Sequence, residues 1–468
     1  MTCVGSAKHM NTIKLEKKYI YRGVCTAILA ILVTAMFFWV WIRFVSENNQ
    51  TGSLMGWGNL LMSAGICFAL YLFFGRGLKA FRIGIDRKAN LLASEVLALF
   101  CLDVTEIFVS CAITGQFRFF PDFLWRYILL FLVQGVVTCV LIYFMVDLYR
   151  HIFPPYELLE VYKDADDQKL HFMNERPDKY HIAAVVSIDE GLDHIFNIMD
   201  EYDAVLINDI PSEAKNDILK ECFNRGKRVY FTPKISDIIS KKSEDINLFD
   251  TPLYLCRNSG LQAYQLIFKR VCDCIISALG LVLTSPIFLI VAIAIHAEDG
   301  GPVFYRQKRT TIGGREFEML KFRSMIVDAE KDGRPRPAGE DDDRITKVGR
   351  RIRPVRIDEL PQLINILRGD MSVVGPRPER VEHVAKYTDE IPEFVYRLKV
   401  KGGLTGPAQV FGRYNTDALN KLKMDLFYIT NYSILLDLQI LFETVKILAQ
   451  KESTAGFSEE RQEEMHDA

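Results

Sequence analysis

RITKVGRRIRPVRIDELPQL, residues Arg344–Leu363, sets a dense run of cations directly before two adjacent carboxylates, Asp358 and Glu359. Leu360, Leu363, Ile364 and Leu367 recur at helical spacing, which predicts a helix beginning at or just after the pair, with Pro361 in its first turn. The positive end of that helix favours carboxylates and keeps them ionised. An ionised carboxylate among guanidinium groups suits two tasks: holding Mg2+, or attacking a phosphorus whose charge the arginines neutralise. Taken alone, the window reads more plainly as a helix N-terminus with acidic capping and a solvated basic face. The surrounding chain decides between these readings.

A chain of 468 residues has room for two or three domains. Its net charge of −2 conceals an asymmetry, because acids outnumber bases in residues 155–250 and bases outnumber acids in residues 300–413. The basic block suits phosphates, or an anionic membrane surface; no nucleic-acid partner is expected. None of the ten cysteines forms a CxxC pair and most lie in apolar segments, so they read as small buried hydrophobes. The eight histidines are scattered and none has metal-ligand spacing.

Four long apolar runs open the chain, at about residues 24–45, 58–75, 91–114 and 124–147, each near the ~20 residues that cross a hydrocarbon core. Three further spans follow the first, which argues against a cleavable signal peptide. Lys8, Lys14, Lys17, Lys18 and Arg22 precede the first run, and Arg76, Lys79, Arg82, Arg87 and Lys88 fill the second connection. The first and third connections carry few cations, chiefly Arg43 and Arg118. This alternation puts both ends of residues 1–150 in the cytoplasm. Glu95, Asp103 and Glu106 fall inside the third run. They suggest helix–helix hydrogen bonding by protonated or water-exposed groups, ahead of a transport path.

After Phe153-Pro154-Pro155 the pattern changes. Tyr180–Ile188, Ala204–Asn208 and Arg228–Thr232 read as buried strands separated by helical stretches, which predicts a small parallel sheet in an acidic module over residues 151–260. The glycine-rich turn of a dinucleotide site is missing; Ser187-Ile188-Asp189-Glu190-Gly191 stands there instead. A Rossmann-like module with a regulatory or assembly role fits better than a nicotinamide-dependent oxidoreductase.

A fifth apolar stretch, residues 271–297, follows Lys269-Arg270 and is divided by Ser285-Pro286. Proline removes a backbone hydrogen bond there, and Thr284 and Ser285 are placed to satisfy the freed carbonyls. If the stretch crossed the membrane, Arg306, Lys308 and Arg309 would fall on the wrong side. A re-entrant helix–break–helix with both ends in the cytoplasm is therefore expected.

From Lys269 to about Ala449 the chain resembles the bacterial sugar transferases, the monotopic phosphoglycosyl transferases acting on polyprenyl phosphate. The residues carrying this resemblance are Lys269-Arg270, Ser285-Pro286, GPVFYRQKR (Gly301–Arg309), LKFRSM (Leu320–Met325) and DELPQL (Asp358–Leu363). GDMSVVGPRPE (Gly369–Glu379), GLTG (Gly403–Gly406), Gly412-Arg413 and the closing residues 421–444 extend it. The four spans and the Rossmann-like module resemble the larger members by architecture.

That resemblance implies a membrane α plus α/β protein: a four-helix transmembrane bundle, the module, and an α/β-mixed catalytic domain over residues 261–450 on the re-entrant helix. It implies that Asp358 is the nucleophile, that Glu359 coordinates Mg2+, and that Arg353 and Arg377 bind phosphate, with Lys321 and Arg323 as further candidates. The reaction implied moves a sugar-1-phosphate from a UDP-sugar to undecaprenyl phosphate, releasing UMP and opening a capsule or exopolysaccharide unit. Partners implied are UDP-sugar, polyprenyl phosphate, membrane lipids and a homo-oligomer, at the bacterial inner (plasma) membrane with the catalytic domain cytoplasmic. The sequence departs from the usual pattern at Val355 and Arg356, where small hydroxyl residues are common, and at Gly402-Gly403, Pro407 and Phe411. A second reading is an inactive membrane scaffold of polysaccharide assembly. Residues 421–448 read as a helix on the bilayer or on the domain, and the acidic tail, 451–468, as disordered.

Overall fold

The computed structural model describes residues 2–45, 56–115, 117, 120–164, 173–174, 177, 179–248, 251–256, 260–327, 329, 342–412 and 416–449. Arg413 and the acidic tail lie outside the described residues. The chain forms two compact units, Met1–Pro233 and Lys234–Ala468.

In the first unit the apolar runs fold as α1 (Thr2–Val40), α2 (Trp57–Gly77), α3 (Lys88–Thr114) and α4 (Phe120–Ile152). α1 and α3 each pack against α2 and α4. Leu29, Val33, Phe37, Trp41, Tyr71, Leu99 and Tyr127 fill their shared core. Phe73, Phe100, Leu132, Val136 and Phe144 point outward and stay exposed. Helices apolar on every face belong in lipid, and all four are long and apolar enough to cross a membrane.

Polar groups inside the helices pair across them, as in membrane packing. Tyr71 Oη donates to Glu95 Oε1 at 2.7 Å, and Trp41 Nε1 to Ser110 Oγ at 3.1 Å. Glu95 thus makes the expected interhelical bond. Asp103 and Glu106 are not water-exposed; both are buried, and their oxygens meet no hydrogen-bond partner among the described residues.

The same unit carries a four-stranded parallel sheet, ordered β2-β1-β3-β4, from β1 (Tyr156–Tyr162), β2 (Tyr180–Ser187), β3 (Ala204–Asn208) and β4 (Arg228–Phe231). α5 (Leu192–Ile198) and α6 (Ser212–Arg225) connect β2 to β3 and β3 to β4. The sequence reading found three of these strands and missed β1, the one that pairs with both β2 and β3. After β2, Ser187 Oγ accepts from Asp189 N while Glu190 Oε1 accepts from Ser187 N. Donors that a pyrophosphate would need are thus taken by the turn's own side chains.

The second unit opens with α7 (Ile235–Ser240) and an antiparallel hairpin, β5 (Glu244–Leu248) and β6 (Thr251–Leu255). α8 (Ala263–Asp299) follows, then the antiparallel pair β7 (Phe304–Thr310) and β8 (Glu316–Phe322). α9 (Lys347–Ile352), α10 (Gln362–Arg368), β9 (Ser372–Val374), α11 (Val381–Glu390), β10 (Gly403–Thr405) and α12 (Pro407–Phe411) come next. The closing segment is two helices, not one: α13 (Ala418–Thr430) and α14 (Ile434–Ala449). They are separated at Asn431–Ser433, where Ser433 Oγ accepts from Leu436 N. Leu422, Leu426 and Ile440 bury them in the main core with Ile366, Val373 and Phe394.

α8 corrects the expected helix–break–helix. It runs as one helix of 37 residues with Pro286 inside. Pro286 cannot donate to the carbonyl four residues back, and Ser285 Oγ donates to that carbonyl, Val282 O, at 2.8 Å. Thr284 Oγ1 donates to Gly280 O in the preceding turn. α8 meets the unit near both its ends, while Ser285, Pro286 and Ile287 in its middle are exposed. Arg270 donates to Ile366 O and Leu367 O at the end of α10, and Asp273 accepts from Ser372 and Val373. Val291 and Ile295 pack with Phe322 and Ile352, and Asp299 pairs with Arg323.

Replacing Ser285 with alanine should lower stability by about 1 kcal/mol, the net contribution of one hydrogen bond. In a Ser285→Ala/Pro286→Ala double variant most of that loss should return, because the second change restores a backbone N–H that reaches Val282 O. Thermal melting of the four proteins of this cycle in detergent measures the coupling.

Candidate active site

Thr346 caps α9 by accepting from Gly349 N at 2.9 Å, and the chain leaves that short helix at Arg353. Arg356 then adopts left-handed backbone, φ 53 and ψ 24, which costs a residue with a Cβ about 1 kcal/mol or more. The reversal delivers Ile357, Asp358 and Glu359 as a single 3-10 turn, and Pro361 leads into α10. The helix therefore begins just after the dyad, with Pro361 at its cap instead of in its first turn.

Glu359 is the hub. Lys321 Nζ, from β8, and Arg377 Nη2, from the Gly375-Pro376-Arg377-Pro378 loop after β9, both bond its Oε1 at 3.0 Å. Arg356 Nη1 stands 4.0 Å from its Oε2. Burial opposes the charge on this carboxylate, but Lys321 and Arg377 outweigh it and hold the group well below its usual range. Asp358 behaves differently. Burial pushes its carboxyl up, with help from Glu359, while Lys321 and Arg353 pull it back.

Lys321, Arg353, Arg377, Asp358 and Glu359 thus come together. Arg323 goes elsewhere: it is buried, and both terminal nitrogens bond the Asp299 carboxylate at the end of α8. Ser285 and Pro286 lie within α8, as described above.

Residues beyond the expected site support the cluster, among them Arg397 and Asp425, which the sequence did not single out. Arg397 Nη2 donates to Arg377 O at 2.9 Å and pairs with Asp425 Oδ2 at 2.7 Å. Its Nη1 lies 3.7 Å from Glu379, which also faces Arg309 at 3.8 Å. Arg309 Nη1 donates to Pro378 O. The loop bearing Arg377 is therefore held by arginines at its back as well as by Glu359 at its front. Glycines hold it too. Gly375 N donates to Thr405 O and Gly403 N to Pro376 O, both at 2.8 Å. A Cβ on Gly406 would stand 2.0 Å from Gly375 O, and one on Gly403 2.1 Å from Gly375 N. The GLTG glycines serve this backbone contact.

Magnesium can be tested against these donors. Among the described residues no group of three His, Cys, Asp or Glu could hold a metal ion. Magnesium bound through one or two carboxylates, with phosphate oxygens and water completing the shell, fits the dyad. Both hydrogen bonds to Glu359 fall on Oε1, while Oε2 faces Arg356 Nη1 at 4.0 Å.

Asp425→Ala should destabilise the protein by about 3 kcal/mol, because it leaves the Arg397 charge buried with only Glu379 nearby. The same change should weaken catalysis through Arg377. Thermal melting and turnover measured on one preparation check both effects.

A family model described as bacterial sugar transferase matches residues 264–451. The chain is 39% identical over 261 residues to the UDP-glucose:undecaprenyl-phosphate glucose-1-phosphate transferase of Klebsiella pneumoniae, covering 54% of this chain and 54% of that one. It is 37% identical over 254 residues to the UDP-N-acetylgalactosamine-undecaprenyl-phosphate N-acetylgalactosaminephosphotransferase of Aeromonas hydrophila, covering 53% and 59%. A UDP-glucose:undecaprenyl-phosphate glucose-1-phosphate transferase of Caulobacter vibrioides is 44% identical over 186 residues, which is 38% of this chain and 69% of that protein. The chain thus spans little more than half the length of the first two relatives.

Proposed function

Because this chain belongs to the bacterial sugar transferase family, we propose that it moves a sugar-1-phosphate from a UDP-sugar to undecaprenyl phosphate and releases UMP. The relatives named above support the reaction class. The single observation that carries the reading is the division of labour in the dyad. Two cations bond Glu359, while Asp358 beside it has its carboxyl raised by burial.

In the first step an Asp358 carboxylate oxygen attacks the sugar-linked phosphorus. The bond from that phosphorus to the bridging oxygen breaks, and UMP leaves with the electron pair. The product is an acyl phosphate joining Asp358 to the sugar phosphate. In the second step an oxygen of undecaprenyl phosphate attacks the same phosphorus, and the Asp358 carboxylate departs. Arg377 and Arg353 bind phosphate oxygens, for which the planar guanidinium fork is suited. Lys321 balances Glu359 and steadies charge at the site. Glu359 would be the residue to hold magnesium, which when bound would supply charge neutralisation.

The reading extends to membrane architecture. α1–α4 form a four-helix transmembrane bundle, the parallel sheet is a Rossmann-like module, and α8 is a re-entrant element whose ends share the cytoplasmic face of the inner membrane. Support comes from the contacts that Arg270 and Asp299, near opposite ends of α8, make with the same unit.

Asp358→Asn should reduce UMP release by about a thousandfold or more, and mass spectrometry of wild type trapped with its UDP-sugar should find the phosphosugar on the Asp358 peptide. Wild-type-like release from the variant would overturn the nucleophile assignment. Arg377→Gln should cost about a hundredfold, the effect of losing one donor to developing charge. The ionised Asp358 is the active form and its pKa is raised, so activity should fall on acidification at a higher pH than an ordinary aspartate, about 3.9. A pH profile of kcat/KM checks the sign. Tyr264→Cys and Lys308→Cys, in a chain depleted of other cysteines, should both be labelled from the cytoplasmic side only.

A further inference from the structure

A cleft of about 220 Å³ opens in the first unit, where the middle of α1 and the end of α4 meet the start of the sheet. Its lining carries four positive charges, Lys18 and Arg22 from α1, Lys179 just before β2, and Arg228 at the start of β4. No aspartate or glutamate is among the described residues that line it.

Aromatic faces position the cations. The Lys18 ammonium lies 3.7 Å from the Tyr156 ring centre, and the Arg228 guanidinium stands 4.6 Å from the same ring. Arg22 Nε donates to Ile83 O at 2.9 Å, and its Nη2 to Tyr149 Oη at 3.3 Å. Gly84, with φ +72, lets the α2–α3 connection close on Tyr149, since a Cβ there would sit 2.1 Å from that ring. Lys18 is 8% exposed although its helix neighbours Lys17 and Tyr19 are exposed. Cations held against ring faces keep their positive charge for a ligand, and four of them around one cleft call for an anion.

Placement identifies the anion. Lys18 and Arg22 sit immediately before the apolar run of α1, and Tyr149 lies at the end of α4, so the cleft stands at the level of lipid headgroups if those helices span. Basic pockets at the ends of transmembrane helices recognise anionic headgroups. The glycine turn of a soluble dinucleotide site is absent from the sequence after β1, Lys163–Lys179, as it is after β2. We propose that this cleft binds the phosphate headgroup of an acidic phospholipid, tying the α/β sheet to the bilayer at a site separate from the catalytic dyad. The proposal rests on the membrane reading of α1–α4 and is independent of the Asp358 chemistry.

The test uses the full chain in neutral detergent, titrated with phosphatidylglycerol or phosphatidylcholine and read by native mass spectrometry. Wild type should retain phosphatidylglycerol preferentially. Lys18→Gln/Arg228→Gln should weaken that retention by about tenfold or more, while Lys17→Gln/Arg82→Gln, an equal charge loss outside the cleft, should change it by less than about twofold. Equal losses in both double variants, or no preference for the acidic lipid, would overturn the proposal. Should the cleft variant misfold, a phosphatidylglycerol carrying a photoreactive headgroup serves on wild type alone. Crosslinks should map to the peptides containing Lys18–Arg22 or Tyr149–Tyr156, and crosslinks confined to other peptides would refute the site. Inorganic pyrophosphate forms the last arm: cleft-dependent binding of pyrophosphate without retention of the lipid would assign the site to a soluble phosphate and overturn the lipid.

Discussion

One carboxylate oxygen joins three separate pieces of the second unit. Glu359 Oε1 receives Lys321 from β8 and Arg377 from the loop after β9, while Glu359 itself stands on the turn between α9 and α10. Each pairing is mostly buried, with 12% of the Glu359 side chain exposed. A buried charge left without its partner costs several kcal/mol, on the order of 3–5. None of the three groups can therefore be removed without penalty to the other two, and the position of Asp358, one residue away, follows from theirs. Whatever chemistry the dyad performs depends on this arrangement surviving.

A second ring of interactions makes that survival physically reasonable. Arg377 is gripped through its backbone carbonyl by Arg397, whose guanidinium is 3% exposed and also meets Asp425 and Glu379. Burial pushes the Asp425 carboxyl up to about 6 despite the pull of Arg397, so this pair is retained against a desolvation cost. Buried ion pairs of that kind are poor sources of net stability. Their contribution here is geometric: they set where the Arg377 fork points. Gly375, Gly403 and Gly406 act to the same end by letting two backbone segments touch where any side chain would separate them.

Sequence reasoning worked where the signal was local. Spans of twenty apolar residues are readable because membrane insertion is decided by composition over a short window, and the parallel sheet was readable from its apolar runs. β1 escaped because Glu157 and Glu160 interrupt its pattern just after Pro154-Pro155. Glu160 is buried all the same, accepting from Asn208 Nδ2 at 2.9 Å, a pairing between strands 48 residues apart. Arg323 was misplaced for a similar reason. It sits two residues from Lys321 on one basic stretch, yet its partner Asp299 lies beyond a turn and a strand. Arg397 and Asp425 carried no motif at all. Asp358, Glu359 and Arg377 were legible because their spacing belongs to a resemblance; their supporting shell was not, because it is assembled only by tertiary contact.

α8 shows how a local rule fails and a broader one holds. Proline inside an apolar stretch predicted a break, and the rule about the missing donor was sound. Ser285, one residue earlier, supplies that donor to Val282 O, so the helix continues. At 1.5 Å per residue its 37 residues extend about 55 Å, well beyond a ~30 Å hydrocarbon core. Its two faces differ sharply. Asp273, Ser277, Val291 and Ile295 are buried against the unit, while Leu279, Val282, Leu283, Leu289, Ile290 and Ile293 stay exposed. A span traversing the bilayer would meet its soluble domain at one end only. α8 is instead tied to one unit near both its ends, by Arg270 and Asp273 at the start and by Val291, Ile295 and Asp299 at the finish, with its middle turns exposed.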